Sequence, residues 1–313
     1  MSVIQSVPCP LCDATALFAF NAGDSFYGVT EYRADLYRCR SCRSLFQHPV
    51  PDRATIASFY PSGYWQETAK PSRLARLQQI YINFMLERDL MGWVRAMKLA
   101  SGSRFLDVGC SRGDWLALIG AAGYQVEGIE ADPRAAAYAR TKHSLTVHEL
   151  DGDSWEPEQD SYAGISFFHL LEHLRDPRAF LGKVFHGLQP GGKLLLRIPH
   201  VNSLQASVLG ANWKGLEIPR HIMLFSRKAL VDLLTAQGFQ VESCSSWALR
   251  DGPPCWASSL LPGGEPTWQQ IHRRPSALKT LAYLALTWAL TPLEVLAAMM
   301  GKGSMLTVIA RKP

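Results

Sequence analysis

The sequence predicts an α/β fold: a doubly wound, seven-stranded, mostly parallel sheet preceded by a small four-cysteine module. From Arg104 onward, short apolar runs of strand character alternate with helix-length segments. Helix start and stop signals, Asp-Pro pairs and glycines, fall between them. Two C-x-x-C pairs stand within the first 42 residues.

Residues 1–50 hold no long periodic segment and are punctuated by Cys, Pro and Gly. Ser72 to Leu99 reads as helical, with Leu74, Leu77, Ile80, Tyr81, Phe84 and Met85 recurring at three and four. Arg104 to Gly109 is the first strand, and the helix after Gly113 stops at Gly123. Gln125 to Glu130 is the second. Asp132-Pro133, an N-cap with proline in the first helical position, opens a helix through about Lys142. Leu145 to Leu150 and Tyr162 to Phe168 follow as strands. Asp176-Pro177 repeats the cap for a helix ending near Leu188. The turn Gln189 to Gly192 leads into a fifth strand, Lys193 to Ile198. Ser226 caps a helix stopped by Gly238, Phe239 to Ser243 is the sixth strand, and Met305 to Ala310 the seventh. Such alternation gives a parallel sheet with helices on both faces. The expected organisation is a cysteine module over 1–50, a linker with lid and N-terminal helix over 51–100, and the sheet domain over 101–313 with a helical insertion near 250–301.

At 313 residues, 47% hydrophobic and 19% charged, the chain has an ordinary globular composition, which excludes disorder. A net charge of +5 is too weak by itself to imply nucleic acid. Seven cysteines are an odd number, and Met1 to Pro8 has no secretory pattern. Reduced thiols in the cytoplasm, some bound to metal, fit better than disulfides.

Doubly wound sheets bind ligands at the carboxyl ends of their strands, where strand order reverses. The candidate is Asp107-Val-Gly109-Cys110-Ser111-Arg-Gly113. Small residues at 109, 111 and 113 permit a sharp turn and close approach of a ligand. The helix behind them offers free N–H groups to a carboxylate. Glu130, seventeen residues after Gly113, ends the second strand, where an acid accepts hydrogen bonds from both hydroxyls of a ribose. A dinucleotide fingerprint would read G-x-G-x-x-G; this loop has an acid two residues before its first glycine and small residues spaced by two.

That pattern resembles the D/E-x-G-x-G-x-G loop of class I S-adenosylmethionine-dependent methyltransferases, with Ser111 in the middle glycine slot. The likeness extends to His169-Leu-Leu-Glu172-His173-Leu-Arg-Asp176-Pro177, to Leu188-Gln-Pro-Gly-Gly192, to Ile198-Pro-His200 and to Pro219-Arg220-His221-Ile-Met-Leu-Phe-Ser226. The resemblance implies that Asp107 and the 109–113 loop hold the methionine end of S-adenosylmethionine and that Glu130 holds its ribose. It implies further cofactor contacts at Cys110, Ala131, His169 and Asp151. Glu149 and Asp153 compete with Asp151 for the place beside the adenine.

Methyl transfer from a sulfonium needs an aligned nucleophile and, for oxygen or nitrogen, removal of a proton. Histidine is the usual base. The candidates are His169, His173 and His221, with His200 weaker. Against them stand structural readings: Glu172 and His173 orienting one another or capping the Asp176 helix, and His221 holding a loop closed. Arg220 either clamps an anionic substrate group or pairs with an acid such as Glu217. Trp213 either stacks on a planar or sugar ring or is buried.

Cys9, Cys12, Cys39 and Cys42 form two knuckles separated by 26 residues. Four thiolates complete the tetrahedral shell zinc prefers and leave no open position, so a structural Zn²⁺ is expected, with a hairpin between the knuckles. Residues 1–60 hold five basic and five acidic side chains, so the module has no basic footprint for RNA. The resemblance instead implies a small-molecule, sugar or glycan acceptor, methylated at O, N or C in cell-surface polysaccharide or secondary metabolism. Phe59-Tyr60 and Tyr64-Trp65 would then belong to a lid. An RNA methyltransferase using the zinc module as its handle is the alternative, and a non-catalytic binding module the third reading.

Thr280 to Met300 carries one charge, Glu294, and one proline, Pro292. A helix pair broken at Pro292 is expected. Peripheral membrane contact through 276–300 is the second reading, supported by Trp288, Tyr283, Arg273, Arg274 and Lys279.

Overall fold

The fold is that of a computed structural model, which describes residues 6–60, 84, 86–152 and 154–313. Leu74, Leu77, Ile80, Tyr81, Met85, Tyr64, Trp65 and Asp153 lie outside the described residues. In chain order the strands are β1 (Ser6–Pro8), β2 (Thr15–Gly23), β3 (Arg33–Cys39), β4 (Leu45–Gln47), β5 (Arg104–Val108) and β6 (Gln125–Glu130). They continue as β7 (Thr146–Glu149), β8 (Tyr162–Phe168), β9 (Leu188–Pro199), β10 (Met223–Leu224), β11 (Gln240–Ser245) and β12 (Met305–Arg311).

Two compact units divide the chain. The sheet unit comprises Lys70–Ile198, Val231–Cys244 and Thr307–Pro313. Its seven-stranded sheet runs β11-β12-β9-β8-β5-β6-β7, with β7, β6, β5, β8 and β9 mutually parallel. All seven expected strands are present. The order reverses between β5 and β8, which makes their carboxyl ends the switch point of the fold.

Local chemistry shapes this unit. The Asp132 carboxylate accepts from the N–H groups of Arg134 and Ala135, and Asp176 accepts from Ala179, each ahead of a proline in the first turn. The helix Met91–Met97 buries Met91, Val94 and Met97 against Phe105, Trp115, Ile119, Leu195 and Ile309. One expected turn changes character. Gln189 to Gly192 is drawn into β9, because Gly191 donates to the Lys312 carbonyl and Lys312 donates back to Gly192.

The cysteine unit comprises Met1–Ala69, Pro199–Leu230 and Ser245–Leu306, and so reaches well beyond the expected 1–50 boundary. Its antiparallel sheet runs β1-β2-β3-β4-β10. The β2–β3 hairpin fills the gap between the knuckles, as expected. The last strand comes from the distant Pro219–Ser226 segment, with Met223 opposite Phe46 and Leu224 opposite Leu45. Leu36, Leu45, Trp213, Leu216, Ile218 and Leu224 share one buried cluster. Trp213 is therefore a core residue, 3% exposed.

The expected helix pair broken at Pro292 is instead one helix, Ala277–Met299, with Pro292 inside it. A proline removes one ladder hydrogen bond and crowds the preceding turn. Here the helix is tied down on both sides of it, by buried Tyr283 and Thr287 before and by buried Glu294 and Ala297 after. Hydroxyls of Thr287 and Thr291 add bonds to the carbonyls four residues earlier. This helix is long and apolar enough to cross a membrane by length and composition, with 22% of its most apolar window buried.

Candidate functional site

The loop leaving β5 folds as a cradle. Gly109, Ser111 and Gly113 all take positive φ, at 76°, 49° and 75°. Glycine meets that demand freely, and serine carries modest strain at the middle position. At Gly113 a side chain is also excluded by contact: an added Cβ would fall 2.6 Å from Leu145 and 2.9 Å from Ala139. Gly109 and Cys110 both donate to the carbonyl of Ile129, which fastens the loop to the end of β6. The Cys110 side chain is buried against Gly128, with its thiol 3.9 Å from the Ser111 carbonyl.

Two acids flank this cradle. Glu130 ends β6 almost fully buried, one carboxylate oxygen accepting from Ser111 N–H and the other from Asp132 N–H, both at 2.8 Å. Each oxygen keeps a second lone pair for a hydroxyl donor. Burial raises the Glu130 pKa, and the two backbone donors oppose the rise. Asp107 lies deeper, 3% exposed. Burial pushes its pKa up to about 7, against a hydrogen bond from Ser166 that lowers it, while the Glu130 charge adds to the rise. The Ser166 hydroxyl donates to Asp107 Oδ1 at 2.5 Å. An uncharged aspartate in a closed pocket is poorly placed alone; beside a cationic ammonium it would ionise. Ser166 escaped the sequence reading, although a serine inside the apolar strand 162–168 was the available signal.

The loop after β8 lies next to this cradle, since a Cβ added at Gly109 would meet Leu170 at 3.7 Å. It carries His169, whose φ of 52° is unusual for a non-glycine residue and whose N–H donates to the Arg197 carbonyl. His169 Nδ1 stands 3.4 Å from the fully buried carboxylate of Glu172, and a nitrogen of His173 lies within 4.8 Å of that carboxylate. A single 3-10 turn, Leu171–His173, thus brings one buried acid to two imidazoles. His221 belongs to the cysteine unit, 6% exposed, with Nδ1 2.9 Å from the Gly215 carbonyl. His200 is also buried there, its Nδ1 3.1 Å from the Gly303 carbonyl, and burial lowers its pKa to about 4.

The remaining acids near β7 separate by their partners. Glu149 pairs with Arg140, while the exposed Asp151 accepts from the N–H of Ser154. Ala131 is exposed beside the buried Glu130. Arg220 resolves to a structural role. It is wholly buried, 2.8 Å from Asp24, 3.3 Å from Glu217 and stacked on Tyr27. Burial would raise Glu217, but the Lys214, His221 and Arg220 charges outweigh it and hold that carboxyl far below its usual range.

In the cysteine unit the two knuckles are near copies. Cys9 and Cys39 each accept at the carbonyl from the residue four later, Asp13 and Arg43, both at positive φ. Their sulfurs accept N–H bonds from Leu11 and Cys42. The four sulfurs lie within 4.8 Å of one another, with Cys9–Cys42 at 3.7 Å and Cys12–Cys39 at 3.5 Å. A tetrahedral ion with bonds of about 2.3 Å spaces its sulfurs by roughly 3.8 Å, so the set fits one ion. The second knuckle is stitched to the β10 segment, because the Ser226 hydroxyl donates to the Cys42 carbonyl.

A parallel sheet with its switch point at β5 and β8, a glycine-lined loop after β5 and an acid ending β6 define a class I methyltransferase domain. The family described as a methyltransferase domain matches residues 82–244, which is 163 of 313 residues and more than half of the chain. The chain belongs to that family and is an S-adenosylmethionine-dependent methyltransferase. It is 27% identical over 191 residues to a ubiquinone biosynthesis O-methyltransferase of Rhodopseudomonas palustris, covering 55% of this chain and 72% of the relative. The corresponding enzyme of Xanthomonas axonopodis is 30% identical over 172 residues, covering 49% and 69%. Among solved structures, the methyltransferase bound to the Haloferax volcanii Trm112 activator superposes with a TM-score of 0.50 at 16% identity, covering 79% of this chain and 100% of that one. It shares the fold.

Proposed function

We propose that this chain transfers the methyl group of S-adenosylmethionine to a hydroxyl oxygen of a small-molecule acceptor, of the sugar or glycan class. The observation that carries the reading is the His169–Glu172 pair, 3.4 Å apart on the loop beside the cofactor cradle. A buried carboxylate fixes the orientation of an imidazole and stabilises its protonated form, which is what proton removal from a hydroxyl requires. Two relatives described above are named as O-methyltransferases, which supports oxygen as the acceptor atom. The sugar class rests on the likeness to methyltransferases that carry an N-terminal four-cysteine module.

The cofactor supplies a methyl group already activated on a sulfonium. The chain does the rest. Asp107 would receive the ammonium of the methionine end, the first-turn N–H groups of the helix Asp114–Ala121 would meet its carboxylate, and Glu130 would accept the ribose hydroxyls. Asp151 would stand at the adenine end. His169 takes the acceptor proton as the oxygen attacks, with Glu172 holding the ring and His173 sharing the same acid. Cys9, Cys12, Cys39 and Cys42 would hold a Zn²⁺ that fastens the fold of the cysteine unit and, with its shell closed, takes no part in transfer.

The test uses the full chain with methyl-labelled cofactor and separate acceptors: phenolic hydroxyls, nucleotide-linked deoxysugars, primary amines and RNA. Labelled methyl on a sugar or other small-molecule oxygen is expected; label only on nitrogen or RNA sinks the reading. His169→Ala should lower kcat by about 10²- to 10⁴-fold with cofactor affinity within a few-fold of wild type.

A further inference from the structure

The helix Ala277–Met299 turns a continuous apolar stripe outward. From Leu281 to Met299 its exposed positions are spaced by one and three, the signature of a single helical face. Leu278, Trp288, Leu296 and Met299 are 77%, 60%, 58% and 74% exposed, and Leu281 and Met300 join them. Over 23 residues the stripe runs for about 34 Å. Exposed apolar surface on that scale marks an interaction face.

The charges say what the face fits. From Pro266 to Ser304 the only acid is Glu294, and it is turned inward, 1% exposed. Its carboxylate accepts from Gln205, Trp256, and both the N–H and the hydroxyl of Ser304, at 2.7–3.0 Å. The exposed charges are all positive: Arg273, Arg274 and Lys279 at one end of the helix, Lys302 just past the other. Pairing two copies about a twofold axis would set cations against cations at both ends, in either helix orientation. An anionic bilayer is complementary at both ends, with the apolar stripe between them at the acyl boundary. A spanning arrangement is inconsistent with the inward bonds of Glu294 and with β12, which follows at once and takes its place in the seven-stranded sheet.

We propose that the outer face of Ala277–Met299 lies flat on the surface of an anionic lipid bilayer, seated by Leu281, Trp288 and Leu296 and steered by Arg273, Arg274 and Lys279. The inference holds whatever the methyl acceptor.

Cosedimentation of the full chain with sucrose-loaded vesicles tests it, using phosphatidylcholine alone and phosphatidylcholine mixed with phosphatidylglycerol. The wild type should partition at least tenfold better onto the mixed vesicles, and high salt should reduce that preference. Leu281→Glu, Trp288→Glu and Leu296→Glu combined should lower partition by at least tenfold. Trp288→Ser alone, a milder change, should lower it severalfold, with cofactor binding retained as proof of folding. Arg273→Gln, Arg274→Gln and Lys279→Gln together should abolish the preference for the mixed vesicles. A wild type that stays in the supernatant with both vesicles overturns the proposal. So does a dimer in sedimentation velocity that Trp288→Ser splits, since the face would then belong to a second copy.

Discussion

The four thiols of the cysteine unit and the two buried acids of the sheet unit contrast in what satisfies them. Glu130 receives two backbone N–H bonds and Asp107 a serine hydroxyl, so the acids have protein partners before any ligand arrives. The thiols also accept backbone N–H bonds, Cys9 from Leu11 and Cys39 from Cys42, but in addition their sulfurs lie against one another. A hydrogen bond from Cys9 lowers the Cys42 pKa and the same contact raises that of Cys9, a split that a shared cation would remove. The difference concerns folding as much as binding: the acid cluster is built by its sheet, whereas the sulfur cluster would be completed by an ion. A parallel sheet with a large apolar core carries its own stability, while the two knuckles are short turns with little apolar surface of their own.

Removing the ion should therefore have the largest effect. Structural zinc in small modules supplies about 10–16 kcal/mol of apparent folding energy at neutral pH. Cys9→Ser with Cys42→Ser, or prolonged chelation, should release close to one equivalent of zinc and expose the cysteine unit to rapid proteolysis, read by metal analysis and limited digestion. A protein that stays protease-resistant and metal-free would erase the contrast.

The acids should show the opposite behaviour. Asp107→Asn should cut cofactor affinity by about 100-fold, the size of a buried charge-assisted contact, yet raise the melting temperature of the free enzyme. The sign follows from the raised pKa. Between pH 4 and about 7 the folded chain holds a proton on Asp107 that the unfolded chain has released, so this group's contribution to stability grows as pH falls through that window and is lost above about 7. Cofactor affinity should run the other way, falling as pH drops below about 7, because the ammonium needs the ionised acid. Calorimetry from pH 5.5 to 8.5 on wild type and variant reads both trends. A wild type with flat affinity across that range breaks the assignment.

The smallest effect sharpens the comparison from the side of local structure. Asp176→Ala removes one helix cap in the sheet unit and should cost about 1 kcal/mol by denaturant titration, with no change in zinc content.

Sequence alone determined the sheet unit. Its strands, the Asp132 and Asp176 caps, the glycine-spaced loop and Glu130 are local features, because periodicity, capping and turn geometry act within a few residues; the positive φ of Ser111 is the exception, since a serine in a tight turn predicts a negative one. The four cysteines were legible for the same reason: each knuckle is one short turn. Tertiary structure decided the rest. Only the fold shows Glu172 reaching His169, since one helical turn permits several pairings and burial selects among them. Only the fold moves His221 and Arg220 into the cysteine unit, through β4–β10 pairing across more than 170 residues and the buried Asp24 contact. A local rule predicts a break at Pro292, and packing on both sides overrides it. Strand pairing and ion-pair burial are set by which surfaces meet in space, and no local pattern encodes that meeting.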